Sequence, residues 1–202
     1  MTRTGTTQET TAASTDPDPV DGEPHEADAD MLEATGLTTL SERQFAATSW
    51  LLGATEDPGV ARRQWDEPGG IALLACGGIL AAVRIPAHLV WAAAKTDELE
   101  KVDAFLGQWF DGGAVIMDLH SHLYYALVPG TAAWRWNDRH FPGVECLRRD
   151  SYLGVPSTRL TEPRGRAYWC LPMQSPGDLC YVDEVEALVR AGRAARAEGD
   201  GR

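Results

Sequence analysis

Residues 115–130, VIMDLHSHLYYALVPG, decide how the middle of this chain is built. Asp118, His120 and His122 fall within five residues, between the apolar runs AVIM (114–117) and LYYALV (123–128). Side chains alternate with period two on a strand, so a continuous strand would present all three on one face. A carboxylate and two imidazoles gathered there suit zinc or another divalent ion. The competing reading makes the two apolar runs the strands of an antiparallel hairpin and the polar residues its tip. Asp and His face water at a turn without a desolvation cost. The hairpin reading carries more weight, because both flanks are strand-like and Pro129-Gly130 ends the second. Asp118, at the strand end, is the strongest single functional candidate of the three.

Working outward, the same alternation of apolar runs and breakers continues. TDELEKVDAFLGQWF (96–110) reads as a helix with Thr96 as cap and Leu99, Val102, Phe105, Leu106 and Trp109 as its apolar stripe. IALLAC (71–76) and ILAAVRIP (79–86) read as strands joined through Gly77-Gly78, and Pro86 opens a helix through AHLVWAAA. Short strands are expected near GVECL, SYLGVP and RAYWCLP, and YVDEVEALVRAGRAARA closes the chain as a helix. Upstream, TTLSERQFAATSWLLGA has helical spacing at Leu40, Phe45, Ala46, Trp50 and Leu51. Ser41 and Gln44 supply a capping box there. TEDPGVARRQWDEPGG (55–70) reads as a loop or short turn. Helices mixed with hairpin-connected strands predict an α+β domain over residues 37–198, mainly an antiparallel sheet with packed helices.

Charge divides the chain. Its 202 residues carry a net charge of −12. Residues 1–40 hold nine acids against Arg3, while residues 135–166 hold seven arginines against four acids. The first 36 residues are threonine-rich, then acidic and punctuated by proline, and too poor in apolar groups to offset ordering entropy, so they read as a disordered tail. No apolar run of about 20 residues is present to cross a membrane. The polar amino terminus has no apolar core behind its basic residue, which points to the cytoplasm. In that compartment Cys76, Cys146, Cys170 and Cys180 are expected as reduced, buried thiols.

The arginine-rich segment also carries rings. Trp134, Trp136, Phe141, Tyr152, Tyr168 and Trp169 are interleaved with Arg135, Arg139, Arg148, Arg149, Arg159, Arg164 and Arg166. Guanidinium groups pair bidentately with phosphate and aromatic faces stack on bases, so the pattern suits a nucleotide or single-stranded nucleic acid. The competing reading, in which the rings belong to the core and the arginine stems cover apolar surface, carries more weight. The loop PSTRLTEPRGRAYW (156–169) is the sharpest part, with hydroxyls and arginines between proline and a strand.

That loop, as SYLGVPSTRLTEPRGRAYWCLP, resembles the strand–loop–strand of bifunctional primase–polymerase domains. GGAVIMD…LYYALVPGTAAW, CLRRDSYLGVP and PGDLC are similar to short actinobacterial proteins bearing that label. The likeness covers roughly residues 80 to 190. It implies an RNA-recognition-like α+β fold with a nucleotide- and metal-binding cleft on the sheet. Asp118 would then fall near the first metal-binding acid, with His120 where a second carboxylate is expected. Ser157 and Arg159 would face phosphate, joined by Arg148, Arg149, Arg164 and Arg166. Polymerase chemistry needs at least two carboxylates holding two metal ions, such as magnesium. This chain offers one acid and histidines, so the resemblance implies a degenerate domain that binds nucleotide or nucleic acid without turnover. Two other classes compete: a non-catalytic protein-interaction or regulatory protein, and a metal-dependent hydrolase using Asp118, His120 and His122.

Overall fold

The computed structural model describes residues 39–200. The acidic tail expected over residues 1–36 lies outside them. The helices are α1 (Leu40–Leu51), α2 (Pro58–Asp66), α3 (Ala87–Ala94), α4 (Leu99–Trp109) and α5 (Val182–Asp200). The strands are β1 (Ile71–Ala75), β2 (Leu80–Pro86), β3 (Ala114–Asp118), β4 (Leu123–Pro129), β5 (Glu145–Leu147), β6 (Tyr152–Pro156) and β7 (Ala167–Leu171). They form a five-stranded sheet in the order β5-β2-β4-β3-β7 and a separate pair, β1-β6. Every pairing is antiparallel. The α+β architecture expected from the sequence is therefore the observed one.

The alternation of side chains explains the layering. On one face of the large sheet, Val83, Ile85, Val115, Met117, Tyr124, Ala126, Tyr168 and Cys170 pack against α3, α4 and α5. On the other, Leu80, Ala82, Ala114, Ile116, Leu127 and Trp169 meet α1, α2 and the β1-β6 pair. The central strands are buried on both sides, which is why their sequences read as unbroken apolar runs rather than alternating ones. The grooves described below consequently lie at strand ends. No described helix is long and apolar enough to cross a membrane.

Three local expectations are corrected. Thr39, not Ser41, caps α1: its hydroxyl accepts from the Glu42 N–H at 3.2 Å, and the Glu42 carboxylate returns the bond to Thr39 N–H. Both S/T-x-x-E/Q registers fit the sequence, and the helix starts at the earlier one. The face of α1 also differs. Ala47 and Leu51 are buried, Gln44 and Thr48 contact Thr158, and Leu40 and Phe45 are left exposed. Residues 58–66, read as loop, are helix α2. Asp57 accepts from the N–H groups of Gly59 and Val60 at 2.8 and 3.0 Å, and Pro58 stands at the first turn. An Asp-Pro pair is an N-terminal signal that the glycine and the charges around it obscured.

Candidate functional site

The 115–130 stretch is a hairpin. Asp118 pairs with Leu123, leaving a four-residue tip at 119–122. The Asp118 carboxylate accepts from the N–H groups of His120 at 2.9 Å and Ser121 at 3.1 Å, a side-chain brace across the turn. His122 takes a left-handed conformation with φ of 53°, and its ring meets Trp91 edge-on. The chain therefore leaves the strand at residue 118, and the period-two argument that would gather residues 118, 120 and 122 no longer applies. Among the described residues no three His, Cys, Asp or Glu side chains are grouped to hold a metal ion. Asp118, His120 and His122, expected to hold zinc or magnesium, are therefore not grouped as a metal centre among the described residues.

The cysteines supply no alternative centre. All four are unpaired and buried. Burial pushes the Cys76 and Cys146 thiols up to about 11 and Cys180 to about 12, so none of these three is a thiolate nucleophile near neutral pH. Cys170 is raised in the same direction by the same cause.

Ser157, Arg159, Arg164 and Arg166 do come together. They border a groove of about 390 Å³ whose other wall is Trp65, Glu67 and Gly70. The loop that carries them is tied down along its length. Ser157 N–H donates to the Gly70 carbonyl at 2.7 Å, Leu160 N–H to the Ser157 carbonyl at 2.9 Å, and Trp169 N–H to the Leu160 carbonyl at 2.7 Å. Two indoles fix the neighbouring strand: Trp65 donates to the Val155 carbonyl and Trp169 to the Pro156 carbonyl. Gly70, at φ of +52°, is where the wall comes closest; a Cβ there would stand 3.3 Å from a Leu160 methyl. Leu119 N–H donates to the Arg166 carbonyl, so His120 and Arg166 share a shallow depression continuing from the groove. Arg164 pairs with Glu162 at 3.1 Å, both well exposed. Neither Arg159 nor Arg166 has an ion pair among the described residues.

Arg148 and Arg149 are elsewhere. They precede β6, whereas Ser157 follows it, and five extended residues hold the two groups roughly 17 Å apart along the strand. Together with Trp134, Gly77 and Gly130 they line a second cleft of about 450 Å³. The single phosphate-binding set expected from the sequence is thus two sets, at opposite ends of the β1-β6 pair. The rings divide as well: Trp136, Phe141, Tyr168 and Trp169 are core, while Trp134 is 91% exposed and Tyr152 is 54% exposed. Sequence reasoning missed Trp65, Glu67 and Gly70 as groove residues. Their one visible signal was the Pro68-Gly69-Gly70 break, which marks a bend without saying what it faces.

No family model, curated protein or solved structure matches this chain.

Proposed function

We propose that this protein is a primase–polymerase-like domain without catalytic competence that binds single-stranded nucleic acid or nucleotide through its phosphates. One observation carries the reading: Arg159, Arg164 and Arg166 border a single groove with the Ser157 hydroxyl, against Glu67 as the one acid in its lining. Guanidinium groups in a fixed loop match phosphate oxygens bidentately, and a hydroxyl adds a further donor. The acidic remainder of the chain disfavours polyanion docking outside the arginine-bearing segment, to which this groove belongs. Turnover is left out because phosphoryl transfer on two metals needs paired carboxylates, and Asp118 is engaged in bracing its own turn.

The test is a salt titration of binding to a short oligothymidylate. Three phosphate contacts predict a log–log slope of about −2, each contact contributing roughly −0.7 on a single strand. Arg159→Ala and Arg166→Ala should each weaken binding and flatten that slope by about one contact. Absence of binding, or binding indifferent to both substitutions, would overturn the reading.

A further inference from the structure

We infer that the second cleft, between Trp134 and Arg149, is a separate binding site for a nucleoside phosphate, with the base stacked on the Trp134 indole and the phosphate on Arg149.

Trp134 and Trp136 are two residues apart and have opposite fates. Trp136 is 3% exposed and stacks on Phe141 with ring centroids 4.9 Å apart. Trp134 is the most exposed large apolar side chain among the described residues, at 91%. It ends a short 3-10 turn, Gly130–Trp134, that the Arg135 and Trp136 N–H groups close onto the Ala132 carbonyl. The core does not use this indole, yet it borders a concavity rather than a flat surface. A ring with both position and free face is what stacking on a base requires.

The concavity is built by two glycine contacts. A Cβ on Gly77, which has φ of +86°, would stand 2.4 Å from the Arg149 backbone nitrogen. A Cβ on Gly130 would stand 1.9 Å from the Gly78 carbonyl oxygen. Only glycine lets the β1-β2 turn, the 3-10 turn and the Arg148–Arg149 segment approach this closely, and their approach makes the floor of the cleft. Arg149 occupies a tight turn closed by Ser151 N–H on the Arg148 carbonyl, with Asp150 left-handed at φ of 69°.

The charges are unequal. Arg148 is held by Asp138 at 2.8 Å and by the Trp136 carbonyl at 3.3 Å, so it serves as a fixed, neutralised wall. Arg149 is exposed and has no ion pair among the described residues. No carboxylate lines the cleft among the described residues. One free guanidinium beside one free indole fits a planar heterocycle carrying a single anionic group, and the volume of about 450 Å³ lies in the range of small-ligand sites. The same chemistry is offered by a free nucleotide and by one unit of a strand.

This site does not depend on the Arg159 groove, and the experiment separates them. Adenosine monophosphate, adenosine and a short oligothymidylate are titrated into the full chain, read by tryptophan fluorescence and calorimetry. Trp134→Ala should weaken binding roughly tenfold, with Trp134→Phe intermediate. Arg149→Gln should weaken the monophosphate but leave adenosine unchanged. Arg159→Ala should leave monophosphate binding intact, which keeps a failure of the groove distinct from a failure here. Both side chains are exposed, and unchanged thermal unfolding verifies that the variants fold. Monophosphate binding lost in Trp134→Ala identifies a free nucleotide. Oligonucleotide binding lost in that variant, without monophosphate binding, identifies a strand. If neither probe binds, or if both bind Trp134→Ala as well as the parent, the site does not exist.

Discussion

Replacing Asp103 by Asn should change how stability depends on pH, in a direction the structure fixes. Asp103 lies half-buried on α4 and accepts a hydrogen bond from the fully buried Tyr168 hydroxyl at 3.0 Å. Burial raises its carboxyl to about 6, the Tyr168 bond opposes that rise, and Glu100 adds to it. In the unfolded chain the group titrates near the ordinary aspartate value of about 3.9. Between these values the folded state holds the extra proton. The stabilising contribution is therefore fully present below about pH 4 and is lost as pH climbs through 6. A rise of that size corresponds to about 3 kcal/mol. The group is partly open to solvent, however, and screening reduces this to on the order of 1 kcal/mol. Asparagine keeps an oxygen for Tyr168 and removes the titration. Urea unfolding of both proteins from pH 4 to pH 8 gives the difference in stability at each pH. The variant should gain about 1 kcal/mol relative to the parent between pH 4 and pH 7. A difference that stays flat, or that moves the other way, refutes the burial argument.

Gly192→Ala tests packing against helix propensity. Alanine favours an isolated helix by about 1 kcal/mol, yet a Cβ at Gly192 in α5 would stand 2.1 Å from the Leu89 carbonyl oxygen of α3. Thermal unfolding should show a loss of several degrees, because overpacking costs about 1–3 kcal/mol. Asp118→Ala should cost about 1 kcal/mol through the lost turn bonds, while Asp118→Asn should be nearly neutral. Zinc added to the parent should not raise its melting temperature, whereas a metal centre would. Asp57→Ala should cost about 1 kcal/mol by uncapping α2, measured as a shift in the denaturant midpoint.

Much of the fold was legible because its signals are local. Period-two and continuous apolar runs marked β3, β4 and β7, and the stripe at Val102 and Leu106 marked α4. The hairpin tip at 119–122 followed from the polar residues between two strand-like runs. Helix α2 was obscured because it is polar overall and buries only Ala61 along its length, so its short sequence between charges and glycines resembles a loop. The α1 face was misplaced for a related reason: polar Gln44 and Thr48 point inward to Thr158, and apolar Phe45 points out.

The candidate site was legible by residue type and illegible by position. Composition alone determined that a cationic, ring-bearing segment sits within an acidic chain, and the pattern of apolar runs determined that the chain would fold as helices on an antiparallel sheet. Tertiary structure decided the rest. Extension along β6 carries Arg149 and Ser157 to opposite ends of a strand, although only seven residues lie between them in sequence. A turn at residue 119 breaks the alignment of Asp118, His120 and His122, because alternation holds only while the backbone stays extended. Two tryptophans of identical chemistry become core and surface according to whether Phe141 is there to meet them. Residue chemistry is inherited from the chain, whereas convergence in a groove depends on contacts between segments distant in sequence.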